Sequence, residues 1–179
     1  SVLSTVANLR LDQALLVAKP EHQKSLIFES SVFSLLFSVL AAGIIGFIYD
    51  AEMAVAIAFG VFANTLIQSV YNYKFANKAE VFCAGLNIFR SLIVVAVQLS
   101  LPFIFTINLI NSYSVSSLVM IIVLLVYILT QRLYHISWNA FKNYKDFIFS
   151  NTPHALLNSF SHNLPYYVVA HFIGFQAVG

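Results

Sequence analysis

Charge is what this sequence has least of. Only 9% of its 179 residues are Asp, Glu, Lys or Arg, where a soluble domain carries about 25%. None of the four occurs between Ser91 and Gln131, a run of 41 residues. The chain is 60% hydrophobic with a mean hydropathy of +0.84. A soluble core cannot hide that much apolar surface, so lipid must cover part of it. Cysteine is nearly absent too. Cys83 stands alone in an apolar run, which excludes an intrachain disulfide and reads as core filling. Ser1–Leu9 has neither a basic start nor a long apolar block, so that segment is not expected to be a signal peptide. No Met stands at position 1, and the chain stops at Ala177-Val178-Gly179 without a polar tail. It is therefore expected to be an internal piece of a longer protein.

Signatures of several chemistries are missing as well. No GxxxxGK[ST] occurs, and the loops are too short for a nucleotide-binding domain, so an ATP motor is excluded. Carboxylates are few and scattered, with Asp146 alone in the longest connector, which leaves no soluble catalytic loop. His154, His162 and His171 lack metal-ligand spacing and a carboxylate nearby in sequence. The chain is not expected to be an enzyme, and no cofactor, metal or nucleic-acid partner is expected. Membrane lipid is the partner that composition implies.

What is present is a series of long apolar runs. Five spans are expected: about Leu26–Tyr49, Met53–Tyr73, a third from Glu80 past Pro102, Val115–Tyr134 and Ala155–Ile173. Each reaches the roughly 20 residues that cross about 30 Å of hydrocarbon. The runs are continuously apolar and not alternating, which favours helices over barrel strands. The fold class is thus an all-α, polytopic transmembrane helix bundle. Residues 1–24 read as a cytoplasmic loop with the end of a preceding helix, and 25–138 as four transmembrane helices. Residues 139–153 form a cytoplasmic connector between helix groups, and 154–179 a truncated further helix.

Basic residues fix the expected orientation. Arg10, Lys19 and Lys24 precede the first span, Lys74 and Lys78 separate the second and third, and Arg132, Lys142 and Lys145 follow the fourth. Asp50–Glu52 and Asn108–Ser117 contain no Lys or Arg. This alternation places the N-terminal segment in the cytoplasm. Tyr49, Tyr71, Tyr73, Tyr113, Tyr134 and Trp138 cluster near span ends, as interfacial aromatics do.

Polar groups within spans are costly and mark candidate sites. Glu29 falls in the first turn of its span, which leaves Arg90 as the deepest charge. It lies ten residues beyond Glu80, roughly 15 Å along a helix. Asn87, Arg90, Ser91, Val94 and Gln98 recur at helical spacing. An Arg beside amide donors suits an anionic, sugar-bearing ligand, because its fork grips phosphate oxygens. If the span begins at Ser91 instead, Arg90 snorkels to the headgroups. The fifth run is the least apolar, with Asn158, Ser161, His162, Asn163 and Pro165. Asn158 and His162 form an i, i+4 pair suited to a watery cavity or to interhelical hydrogen bonds, and Pro165 is a candidate hinge. Asn64 and Gln68 form a similar pair. Ser30, Ser34 and Ser38, with Gly43 and Gly46, suit close helix packing.

Several of these segments resemble a known family. Asn8-Leu9-Arg10-Leu11-Asp12-Gln13-Ala14-Leu15-Leu16-Val17-Ala18-Lys19 resembles the cytoplasmic loop after the second helix of bacterial oligosaccharide flippases. These belong to the multidrug/oligosaccharidyl-lipid/polysaccharide exporter superfamily and include O-antigen and capsule-repeat translocases. Asn87-Ile88-Phe89-Arg90-Ser91-Leu92 is similar to the start of the family's fifth helix. Tyr144-Lys145-Asp146-Phe147, Asn151-Thr152-Pro153 and Leu157 through Pro165 look like the beginning of its seventh, and Phe172 through Gly179 like that helix's outer end. Leu11 departs from the pattern, which has an aromatic there. The resemblance implies the third to seventh of about twelve helices in two lobes. It implies alternating-access translocation of an undecaprenyl-pyrophosphate-linked oligosaccharide across the inner membrane, through a hydrophilic, net-positive cavity. It also implies contact with other polysaccharide-assembly membrane proteins. The substrate-binding candidates are Arg90, Asn87, Gln98, Asn158 and His162. The competing readings are an ion-coupled small-molecule exporter of the same superfamily and a membrane-embedded glycan polymerase or ligase.

Overall fold

A computed structural model describes residue 7 and residues 9–48, 50–104, 109–136 and 139–173. Among the described residues six helices follow one another: α1 (Leu11–Val17), α2 (Pro20–Ile48), α3 (Ala51–Ala76), α4 (Glu80–Ile104), α5 (Leu109–Thr130) and α6 (Asn139–Ile173). Among the described residues there is no strand. Four helical stretches are long and apolar enough to cross a membrane: Pro20–Ile48, Ala51–Ala76, Glu80–Ser100 and Ile110–Thr130. The chain is an all-α helix bundle of multi-pass membrane character.

The helix boundaries have local causes. Pro20 opens α2 at the position where a missing N–H costs nothing, and Glu21 follows in the first turn, where a carboxylate meets the positive end of the helix dipole. At the end of α3, Ala79 N–H bonds the Lys74 carbonyl at 2.9 Å and Lys78 N–H bonds that of Phe75 at 3.0 Å. Leu133 and Arg132 do the same for Ile128 and Leu129 at the end of α5, at 2.9 and 3.1 Å. Both are Schellman closures, and Lys78 and Arg132 hold the left-handed position with φ of 59° and 48°.

α3 is the hub of the bundle, touching α1, α2, α4 and α5. Its Leu66, Ile67 and Val70 join a core with Leu11 and Leu15 of α1, Leu26 and Ile27 of α2, and Met120, Leu124 and Ile128 of α5. Cys83 is buried, as its apolar run predicts. The serine stripe of α2 is buried throughout, and Ser30 Oγ lies 2.7 Å from Ser69 Oγ on α3. Such contacts contribute roughly 0.6–2 kcal/mol between membrane helices. Gly46 also packs closely, since an added Cβ would meet Ala54 Cβ at 3.4 Å. Gly43 does not, because nothing lies within 4 Å of where its Cβ would stand.

α6 departs from the expected pattern. Residues 139–153 are helical and continuous with the fifth expected span, and Pro153 and Pro165 both lie inside the one helix. It is not among the four stretches apolar enough to cross. It touches only α1 and α2 among the described helices. Ala140 and Ile148 enter the core, and the Phe141 ring lies tilted against Phe33 with centroids 5.5 Å apart. Beyond Ala155 the described side chains are exposed or half-exposed. Tyr49, Trp138 and residues 174–179 lie outside the described residues, as do the side chains of Asn163 and His171.

Candidate functional site

Arg90 sits on α4 ten residues after Glu80, and its side chain turns sideways to α3. A guanidinium N–H donates to Asn64 Oδ1, and Asn64 Nδ2 donates to the Gly60 carbonyl at 2.8 Å. Asn64 is thus oriented by its own helix, with its oxygen held toward the cation. Tyr113, Ser116 and Ser117 of α5 close the remaining side. The space among these groups is about 20 Å³, room for one water and for nothing larger. Arg90 here meets protein, not ligand space. Asn87 faces elsewhere, lining a shallow exposed groove with Ser91 and Val95. Gln98 is half-exposed, and Gln68 is exposed, apart from its partner Asn64.

The larger polar space lies at the other side of the bundle. A cleft of about 440 Å³ runs between the segment that opens α1 and the middle of α6. Arg10 and Gln13 form one wall; Asn151, His154, Asn158 and Ser161 form the other. The four α6 residues recur at i, i+3, i+7 and i+10, which puts them on one helix face. Asn158 therefore lines this cleft. His162 is exposed outside it, on the same half of α6. α4 and α6 make no contact among the described residues, so Arg90 and Asn158 belong to separate sites.

Contacts across this cleft's ends fix its walls. Thr152 Oγ1 donates to the Leu9 carbonyl at 3.2 Å, and Lys19 N–H donates to Tyr144 Oη at 3.0 Å. Gln23 Nε2 reaches the Leu15 and Ala18 carbonyls, both at 3.4 Å, and Asn72 Nδ2 reaches the Asp12 carbonyl at 2.9 Å. α1 is thereby tied to α2, α3 and α6. Asp12 is buried, and Asn72 Nδ2 also lies 3.3 Å from its Oδ2. Burial pushes the Asp12 carboxyl above its ordinary range, and the positive charge of Arg10 opposes that shift only in part. Arg10 Nε is buried with no hydrogen-bond partner among the described residues.

Glu29 is the second buried acid. Its side chain is fully buried beside the first turn of α6, near the N–H groups of Ala140 and Phe141. Neither oxygen has a partner of full hydrogen-bond geometry among the described residues. The sequence places it in the first turn of a span, but α2 begins at Pro20, so Glu29 stands nine residues in, roughly 14 Å along the helix.

Comparison with known proteins finds no matching family model, curated protein or solved structure. Among the described residues no group of three or more His, Cys, Asp or Glu side chains is placed to hold a metal ion. The site is therefore read from its own chemistry. Sequence reasoning passed over Arg10, Gln13, Asn151 and His154 as ligand-facing residues. The available signal was the polar spacing from Asn151 to Ser161, which extends the Asn158 face back through the connector.

Proposed function

We propose that this chain is part of a transporter that carries a lipid-linked oligosaccharide of the undecaprenyl-diphosphate kind across the bacterial inner membrane. Alternating access would deliver it for surface-polysaccharide assembly. The observation that carries this reading is the polar face of α6. Asn151, His154, Asn158 and Ser161 stand beside a cation, in a protein whose other long helices are apolar. A polar helix face beside helices of membrane-spanning character needs water or polar partners, and a substrate path supplies both. The test is genetic and chemical. Cells lacking the protein should lose surface polysaccharide and accumulate lipid-linked repeat units on the cytoplasmic face. Normal surface polysaccharide in those cells would sink the proposal.

The orientation belongs to the same proposal, with the N-terminal segment cytoplasmic as the Lys/Arg alternation requires. Asn111 is half-exposed at the start of α5 and Asn143 is exposed on α6. Ser112 is fully buried and unsuited to a probe. A cysteine at Asn111 should label from outside intact cells, and one at Asn143 should not; Cys83 is buried and adds little background. Labelling in the reverse pattern would invert the proposed direction of transport.

One observation favours the ion-coupled exporter of the same superfamily. That class wants a carboxylate within its membrane helices, and Glu29 is a buried one on α2. If Glu29→Gln abolishes ion-driven export of a small molecule while polysaccharide is unaffected, the exporter reading replaces the flippase.

A further inference from the structure

Among the described residues Arg10 is the only Lys or Arg lining the α1/α6 cleft, and the protein leaves it incompletely used. Its Nε is buried without a partner among the described residues. The neighbouring Asp12 does not close an ion pair with it there; its Oδ2 instead lies within reach of Asn72 Nδ2, at 3.3 Å. Opposite stand His154 and Asn158, neither of which holds a hydrogen bond within the described protein. Asn151 uses its Nδ2 on the Phe147 carbonyl at 2.9 Å, which leaves its side-chain oxygen as an acceptor. The Arg10 side chain therefore lines the cleft opposite amide and imidazole groups, across about 440 Å³ of open space.

We propose that this cleft binds the diphosphate of the lipid-linked substrate, with Arg10 gripping phosphate oxygens and the α6 face holding the first sugar. The inference rests on the transport reading above and names its loading site. A guanidinium matches phosphate in charge and in forked geometry. Amide side chains supply both donors and acceptors, which sugar hydroxyls require. The lipid source is argued from the lining: Leu157 borders the cleft, and Phe160 and Leu164 stand exposed farther along α6. An isoprenoid chain leaving the cleft would lie against those side chains. Arg10 sits just before α1, whose Asp12 meets Asn72 four residues before the end of α3. That end carries Lys74 and Lys78 and is cytoplasmic in the proposed orientation, so the cleft meets substrate on its loading side.

The test uses the protein in phosphatidylcholine nanodiscs, with undecaprenyl diphosphate added as lipid and inorganic pyrophosphate as the free competitor. Binding is read by broadening of the phosphorus resonances. Wild-type protein should bind the lipid diphosphate, and pyrophosphate should displace it at higher concentration. Arg10→Gln should weaken binding by about tenfold or more, the loss expected for one charge-assisted pair. Arg10→Lys should recover part of it, because charge returns without the fork. Asn143→Ala, exposed on the same helix but outside the cleft, should bind as wild type. Equal binding by wild type and Arg10→Gln would overturn the site. Free pyrophosphate binding as tightly as the lipid would overturn the lipid source. If Arg10→Gln does not fold, Gln13→Ala and Asn158→Ala on the two walls decide, and no loss in either overturns the proposal. Translocation is measured separately: Arg10-dependent binding without transport keeps the site and discards the transporter, while transport with unchanged binding in Arg10→Gln does the reverse.

Discussion

Arg90 and Asn64 are paired across the α3/α4 interface, and Asn64 is itself held by the Gly60 carbonyl. The pair sits near the middle of α3, thirteen residues after Ala51 and twelve before Ala76. Removing either partner leaves the other polar and unsatisfied at membrane depth. Arg90→Ala and Asn64→Ala should each lower thermal stability in detergent. The double variant should lose less than the sum, with a coupling of roughly 0.6–1.7 kcal/mol. Strict additivity would show that the pair carries no interaction energy. Arg90→Lys should recover only part of the lost stability, because the charge returns without the planar fork.

Gly60 governs a second contact of the same small space. A Cβ there would lie 2.8 Å from Cε1 and Oη of Tyr113. Tyr113 is 36% exposed, so its ring has room to swing outward. Gly60→Ala should therefore cost only about 1 kcal/mol, the low end for overpacking. Pairing it with Tyr113→Ala should restore tolerance of the added methyl. If the double variant is no better than Gly60→Ala with Tyr113→Ala costs summed, α3 and α5 do not meet as described.

Asp12 predicts a pH dependence with a definite sign. Its folded-state pKa is raised, chiefly by burial, from an ordinary 3.8. The protonated form is therefore favoured on folding, and that contribution is complete below 3.8. It is lost as pH rises through the elevated folded value. Asp12→Asn keeps an acceptor for Asn72 and removes the charge. It should flatten the stability profile above pH 3.8 and leave the variant at least as stable as wild type at neutral pH. A variant less stable at neutral pH, with an unchanged profile, would count against this account.

Helix positions were legible in the sequence because apolar length is a cumulative signal. Four of the expected spans overlap α2 to α5, although the fourth is expected to reach Tyr134 while α5 ends at Thr130, and Pro20 marks the start of α2 as its chemistry requires. The serine stripe was legible for the same reason: Ser30, Ser34 and Ser38 share a face that must either pack or face water. Partners across helices were not legible. Arg90 and Asn87 are three residues apart, yet one side chain turns to Asn64 and the other to an exposed groove. Residue spacing fixes angle around one helix, not which neighbour stands there. Arg10 was hidden because a cation just before a seven-residue helix reads as a loop charge. Only the fold of α6 back onto that segment makes it one wall of a cleft.

Lys78 and Arg132 give the last prediction, because each spends backbone strain on a position glycine would occupy freely. Both close Schellman motifs with positive φ, 59° at Lys78 and 48° at Arg132. A residue with a Cβ loses roughly 1–2 kcal/mol in that conformation relative to the right-handed helix. Their cations return part of this by facing the negative ends of α3 and α5, an effect of about 0.3–1 kcal/mol. The balance favours glycine, so Lys78→Gly and Arg132→Gly should each raise the unfolding midpoint of the protein in detergent. The same cations serve the proposed orientation, since each stands in a loop assigned to the cytoplasm. The stabilised variants should therefore show more inverted molecules when cysteine labelling at Asn111 is scored. A higher midpoint with unchanged topology would assign these residues to helix closure alone, and a lower midpoint would show that the cation outweighs the strain.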